Sequence, residues 1–212
     1  MIFPPETIEA TLSRYGYRPT PDFAGKVEAY IELLLLWNQK ISLTTVTDPL
    51  EVLEFHFGES LFAISQLENA EKQESRLADV GTGAGFPGLP IAMALPTCKV
   101  TLIESNAKKC AFLAEVVRRL SLTNVTVRAG RMESYQKEGP GFDFVTARAL
   151  GHFDPLLSWS KTHLKTEGRL ILWLGQEDAA ELSRRPGWLW TPAVPIPGTS
   201  RRVLLIAAPE HG

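Results

Sequence analysis

The chain has 212 residues, of which 44% are apolar and 22% charged, the balance of a soluble globular protein with room for one sizeable domain and a short extension. A formal net charge of −2 excludes a protein that holds nucleic acid by bulk positive charge, while leaving space for a local basic patch. Cys98 and Cys110 offer neither a CxxC pair nor zinc spacing, no apolar run approaches a membrane span, and the start Met1-Ile2-Phe3-Pro4-Pro5-Glu6 lacks the marks of a secretory signal. The expectation is a cytoplasmic monomer with reduced cysteines, no metal and no membrane contact.

Residues 1–70 read as a helical extension. Val27, Tyr30, Ile31, Leu34 and Leu35 recur at helical spacing, and Trp37 ends the apolar run. Residues 41–43 read as a short extended piece. Asp48-Pro49-Leu50-Glu51 is a helix start: Asp48 caps, Pro49 suits the first turn and Glu51 completes a capping box. Leu50, Leu53, Phe57, Leu61 and Ile64 then form an apolar stripe, and the charged stretch 68–75 reads as a linker.

Residues 71–212 read as a single α/β unit. Strands are expected at 77–80, 99–103, 125–127, 142–146 and 169–174, with helices at 89–95, 106–120 and 153–164 between them. This alternation predicts a mostly parallel Rossmann-like sheet covered on both faces. The tail differs: 188–194 and 202–207 flank the turn Pro195-Ile196-Pro197-Gly198 and predict a closing antiparallel hairpin. A nicotinamide-binding fold would continue with parallel units instead.

The run Asp79-Val80-Gly81-Thr82-Gly83-Ala84-Gly85 joins the first of these strands to a helix. Glycines there let the backbone turn sharply and approach a ligand. The dinucleotide fingerprint needs G-x-G-x-x-G, and Phe86 occupies its third glycine position. A sulfonium donor such as S-adenosyl-L-methionine has no pyrophosphate, and the G-x-G-x-G spacing fits it better. Glu104 ends the next strand, where a carboxylate meets ribose hydroxyls in this class of sheet. Asp79 either orders the loop or meets the donor's ammonium through water. Gly81, Gly83 and Gly85 complete the donor candidates. The bland alternative is a tight strand–helix turn with no ligand.

Asp79-Val80-Gly81-Thr82-Gly83-Ala84-Gly85-Phe86-Pro87-Gly88 resembles the glycine loop of the RsmG (GidB) family, bacterial enzymes that methylate guanine N7 in 16S ribosomal RNA. Further matches occur in order along the chain. Trp37-Asn38 with Leu43-Thr44 is similar to the family's W-N…N-L-T segment, and His56-Phe57-Gly58-Glu59-Ser60-Leu61 to its H-x-x-D-S-L helix. Glu104-Ser105, Lys108-Lys109 and Phe112-Leu113 resemble its D-S-x-x-K-K-x-x-F-L stretch, Arg131-Met132-Glu133 its R-x-E turn, and Thr146-Ala147-Arg148-Ala149 its S-R-A strand end. The resemblance covers about residues 33–206. Leu174 and Phe55 stand where the family carries basic residues.

The resemblance implies donor contacts at Gly81, Phe86, Met132, Glu133 and Arg148, and a substrate in 16S rRNA or the small ribosomal subunit. Guanine N7 already carries a lone pair, so its methylation needs orientation rather than a general base. Arg148 is the candidate catalytic residue on the guanine side. Lys108, Lys109, Arg131 and Arg201 are candidate phosphate contacts. Bland alternatives accompany several of these. The Lys108/Lys109 pair reads equally as a solvated helix face, Trp37 as core, and His56 as a helix histidine bonded to Glu59 or Ser60. The residues also leave open another RNA or a small molecule as acceptor, and a non-catalytic donor-binding protein.

Overall fold

Side chains alternate across each strand, and the alternation decides the layers. In the last two long strands Ile171, Trp173, Leu204 and Ile206 face one core, while Leu170, Leu172, Leu174, Val203, Leu205 and Ala207 face another. The computed structural model describes residues 2–67, 74–136, 139–148, 151 and 153–210. The strands are β1 (Arg76–Val80), β2 (Lys99–Glu104), β3 (Val125–Ala129), β4 (Phe142–Arg148), β5 (Leu164–Gly175), β6 (Trp188–Trp190), β7 (Val194–Pro195) and β8 (Arg202–Pro209). They form one eight-stranded sheet in the order β3-β2-β1-β4-β5-β8-β6, with β7 against β8. Strands β1 to β5 pair in parallel, and β8 runs antiparallel to β5, β6 and β7. The chain order reverses between β1 and β4, so a crevice opens beyond their carboxyl ends, the usual place for a ligand in an open α/β sheet.

Helices α1 (Pro5–Ser13), α2 (Pro21–Asn38), α3 (Pro49–Val52), α4 (Glu59–Phe62), α5 (Gly88–Ala94) and α6 (Ala107–Arg119) lie with one core; α7 (Phe153–His163) and α8 (Gln176–Leu182) lie with the other. Local chemistry sets their starts. The Thr20 hydroxyl accepts from Phe23 N at 3.2 Å, and Asn106 Oδ1 accepts from Lys108 N and Lys109 N at 2.9 and 3.2 Å, each cap contributing about 1 kcal/mol. The helical extension is part of the first core: Tyr30, Leu34 and Phe57 share it with Leu89, Phe112 and Trp173. Burying each such side chain contributes roughly 1.5–3 kcal/mol. The boundary read at residue 70 lies outside the described residues.

Several expectations shift. Residues 41–43, read as a short extended piece, belong to no strand of the sheet. They have no partner strand, and the side chain of Asn38 takes the place of a ladder: its Oδ1 accepts from Leu43 N and Thr44 N at 2.8 and 3.0 Å, and its Nδ2 donates to Thr44 O at 2.9 Å. Asp48 Oδ1 caps α3 through Leu50 N and Glu51 N, at 2.9 and 3.0 Å; Glu51 contributes its backbone N–H rather than the second half of a box. Beyond α3 the helix is interrupted by a π-helical turn, Leu53–Gly58. A π turn carries more residues than an α turn, so it rotates the residues after it relative to those before it. Leu50 thereby falls off the apolar stripe and is 43% exposed, whereas Leu53, Phe57 and Leu61 are buried. The strand expected at 188–194 is split into β6 and β7, since Pro192 between them has no N–H for a ladder. Strand β5 starts five residues earlier than read, at Leu164, with an irregularity in its register to β4.

Candidate active site at the carboxyl edge of the sheet

The loop after β1 is built around a carboxylate. Asp79 is fully buried; its Oδ2 accepts from Thr82 Oγ1 at 2.5 Å and from Gly88 N at 2.9 Å, and its Oδ1 accepts from Thr146 Oγ1 at 2.9 Å. Of the two roles read for Asp79, ordering the loop is the one its geometry performs. Burial raises its carboxyl to about 6, against the pull of these hydrogen bonds. The loop backbone runs through positive φ at Gly81 (65°), Gly83 (61°) and Gly85 (93°), which glycine alone adopts without strain. Gly85 is also sterically required: a Cβ there would lie 2.4 Å from both Leu89 Cδ1 and the Tyr30 hydroxyl. That hydroxyl donates to Ala84 O at 2.5 Å, so α2 holds the loop from behind.

Glu104 completes the frame. Its Oε2 accepts from Gly83 N at 2.9 Å and its Oε1 from Asn106 N at 2.7 Å, tying the end of β2 to the loop after β1. Beside this frame a cavity of about 240 Å³ is lined by Val80, Gly81, Ile103, Ser105, Gly130, Arg131, Met132 and Glu133. A second, of about 260 Å³, continues past Gly130 and Arg131 to Ser134, Tyr135 and Gln136. Gly81, Met132 and Glu133 are thus brought together, with Met132 and Glu133 on a 3₁₀ turn after β3. Arg131, read as a phosphate contact, stands in the wall of this cleft.

The residues fit a cationic, phosphate-free donor. In a dinucleotide site the first helix offers bare N–H groups to a pyrophosphate. Here the Gly88 N–H at the start of α5 already serves the buried Asp79 carboxylate. A pyrophosphate would meet negative charge there, and a sulfonium would not be repelled. Phe86, expected as a donor contact, lines neither cavity. Its ring is buried, stacked on Tyr30 at 5.3 Å and 7° and on His56 at 4.7 Å and 25°.

Across the switch point β4 ends in Arg148, beside Trp173 of β5. The Arg148 side chain is 14% exposed and places Nη2 3.3 Å from Glu59 Oε2; Arg202, at the start of β8, places its Nη2 2.8 Å from Glu59 Oε1. Phe55 lies under the Arg202 guanidinium at 5.3 Å. His56 departs from expectation: its Nε2 is hydrogen-bonded to Thr44 Oγ1 at 2.8 Å, and the Ser60 hydroxyl donates to the His56 carbonyl rather than to its ring. Burial, and then the guanidiniums of Arg148 and Arg202, hold the imidazole down to about 3, so it is neutral at physiological pH.

Lys108 is exposed and Lys109 half-buried in the first turn of α6, and Arg201 is exposed just before β8. All three lie at the carboxyl edge. Glu59 and Arg202 were missed as site residues. Glu59 entered only through the His56–Leu61 segment that is similar to H-x-x-D-S-L, and Arg202 only as the first residue of the strand expected at 202–207. Arg202 opens β8 opposite Gly175, which closes β5, a pairing that the fold alone brings about.

Among the described residues no group of three His, Cys, Asp or Glu side chains could hold a metal ion, and no helix is long and apolar enough to cross a membrane. Comparison with known proteins completes the assignment. A family model described as GidB, rRNA small subunit methyltransferase G, matches residues 24–189. The chain is 40% identical over 184 residues to a ribosomal RNA small subunit methyltransferase G of Sorangium cellulosum, covering 86% of this chain and 77% of that protein. It is 33% identical over 211 residues to the protein of the same name from Syntrophotalea carbinolica, covering 94% of this chain and 95% of that one. Among solved structures, a SAM dependent methyltransferase from Aquifex aeolicus is similar at a TM-score of 0.62 and 19% identity, over 76% of this chain and 93% of that chain. At that identity the likeness speaks for the fold. The chain belongs to the GidB family of rRNA small subunit methyltransferases.

Proposed function

We propose that this protein transfers a methyl group from S-adenosyl-L-methionine to guanine N7 of 16S ribosomal RNA, working as a cytoplasmic monomer on the small ribosomal subunit or its RNA. Family membership supports the reaction class and the rRNA. The observation that carries the donor is the buried Asp79 carboxylate on the Gly88 N–H, which makes the helix start unfit for pyrophosphate.

In this reading Gly81, Gly83 and Gly85 let the backbone lie against the donor, Glu104 serves the ribose, and Met132 and Glu133 meet the adenine. S-adenosyl-L-methionine supplies an electrophilic methyl on sulfur. The acceptor nitrogen brings its own lone pair, so no side chain has to remove a proton first. The neutral His56, with a pKa near 3, agrees with a site that does not rely on it as a base. What the chain contributes is orientation: holding N7 in line with the methyl is an entropic gain of the kind worth several orders of magnitude in effective concentration. Arg148, at the strand end facing the donor loop across the switch point, donates to the guanine carbonyl or stacks on its plane. Lys108, Lys109, Arg131 and Arg201 supply charge for the RNA backbone.

The test uses labelled donor and purified small subunits from a strain lacking the gene. Incorporation into a single 7-methylguanosine of 16S rRNA is the expected result. Unchanged 7-methylguanosine content in the deletion strain would refute the proposal.

A further inference from the structure

Glu59 is the most deeply buried carboxylate on the acceptor side of the sheet edge, with its side chain 1% exposed. It comes directly after the π turn of the helical extension, while its two cations come from the ends of β4 and β8. One carboxylate therefore joins three separate parts of the chain. Its own position is tightly held. The Trp173 indole N–H donates to the Glu59 carbonyl at 2.8 Å, and a Cβ on the preceding Gly58 would lie 2.4 Å from the Tyr15 ring.

The cluster is not arranged for stability alone. Two guanidiniums face the Glu59 carboxylate, and the Asp79 carboxylate acts on Arg148 from the donor loop. Among the described residues neither Glu59 oxygen completes a hydrogen bond of good angle, and the buried Arg148 Nη1 has no hydrogen-bond partner. A buried ion cluster contributes less to stability than apolar residues of the same volume, and an incomplete one contributes less still. Such an arrangement suits a group that arrives later and completes it. Without Glu59 the two guanidiniums would repel each other. Arg202 would swing to solvent off Phe55, and Arg148 would lose its only ion-pair partner among the described residues.

We infer that Glu59 is a positioning residue for the acceptor. It holds Arg148 and Arg202 side by side, so that the exposed part of the Arg148 guanidinium meets the target guanine while Arg202, backed by the Phe55 ring, meets the phosphate of the same nucleotide. This rests on the reading of Arg148 as an acceptor residue.

The test compares Glu59→Gln, Glu59→Asp and Arg148→Lys in the full chain, by methyl transfer to small subunits, donor calorimetry and thermal melting. Glu59→Gln keeps the volume and removes the charge. It is expected to lower kcat at least tenfold while donor Kd stays within about twofold, and Glu59→Asp to lose only about threefold. A merely structural role would lower the melting temperature and donor affinity together and leave kcat of the folded fraction unchanged, which would overturn the inference. Full activity in Glu59→Gln with a defective Arg148→Lys overturns it too, while sparing the reading of Arg148. Full activity in both overturns that reading as well. Should Glu59→Gln fail to fold, Glu59→Asp decides: a loss confined to kcat supports the inference, and wild-type turnover refutes it.

Discussion

Glu104 and Glu59 are both buried carboxylates at the carboxyl edge of one sheet, and they are satisfied in opposite ways. Glu104 accepts two backbone N–H groups at 2.9 and 2.7 Å, and the neighbouring Asp79 accepts one backbone N–H and two threonine hydroxyls. Among the described residues the Glu59 carboxylate meets guanidiniums alone, at 2.8 and 3.3 Å, and a nitrogen of Arg148 has no hydrogen-bond partner. Backbone donors cannot move without unfolding the loop, so the donor side is formed before any ligand binds. Side-chain ions held mainly by one another are free to re-pair when a polyanion arrives. A preformed small-molecule pocket beside an electrostatically unfinished surface is what a methyl donor and an RNA require of one protein.

The two sides can be broken separately. The largest effect is expected from Gly85→Ala, whose Cβ would strike Leu89 and Tyr30 at a φ of 93°. Overpacking and strain together should cost roughly 3 kcal/mol or more and abolish donor binding, as read by urea unfolding and calorimetry. Donor affinity within threefold of wild type would show that the loop is not the rigid half of the comparison. Arg148→Met should do the reverse, lowering kcat on small subunits ten- to a hundredfold in single-turnover assays, a larger effect than its loss of donor affinity.

The sides should also answer pH with opposite signs. Asp79 has its folded pKa raised from 3.8 to about 6, so its contribution is present below pH 3.8 and is lost as pH rises to about 6. His56 has its folded pKa lowered from 6.5 to about 3, so its contribution is present above pH 6.5 and is lost as pH falls towards 3. Denaturant melts from pH 4 to 7 should therefore show the stability of wild type relative to Asp79→Asn shrinking with rising pH. Relative to His56→Gln it should grow. The slopes amount to on the order of 1–3 kcal/mol over the window. Parallel slopes in wild type and a variant would show that the residue's titration is not linked to folding.

Smaller effects refine the contrast. Tyr30→Phe deletes the hydroxyl on Ala84 O and keeps the ring in its stack, for about 1 kcal/mol of stability and a modest loss of donor affinity. Lys108→Ala or Lys109→Ala should weaken RNA binding two- to threefold and lower the salt dependence by about one counterion each, with no change in donor Kd. An unchanged salt slope would return that lysine to the solvated helix face it was also read as.

The amino-acid sequence by itself determined the parallel sheet, the glycine loop and the family. Those rest on short-range signals: apolar runs at strand length, glycines where only positive φ serves, and motifs a few residues long in a fixed order. The distinction between a dinucleotide and a sulfonium donor was also local, carried by Phe86 in place of a glycine. Tertiary structure alone decided how the site is held. The π turn at 53–58 has no composition of its own, and it carries Phe57 into ring contact with Tyr30 and Phe86. Tyr30 to Ala84 across 54 residues, and Glu59 to Arg148 and Arg202, are pairings of distant positions. No periodicity marks them, because a buried charge is stabilised by what the fold brings to it and not by its neighbours along the chain.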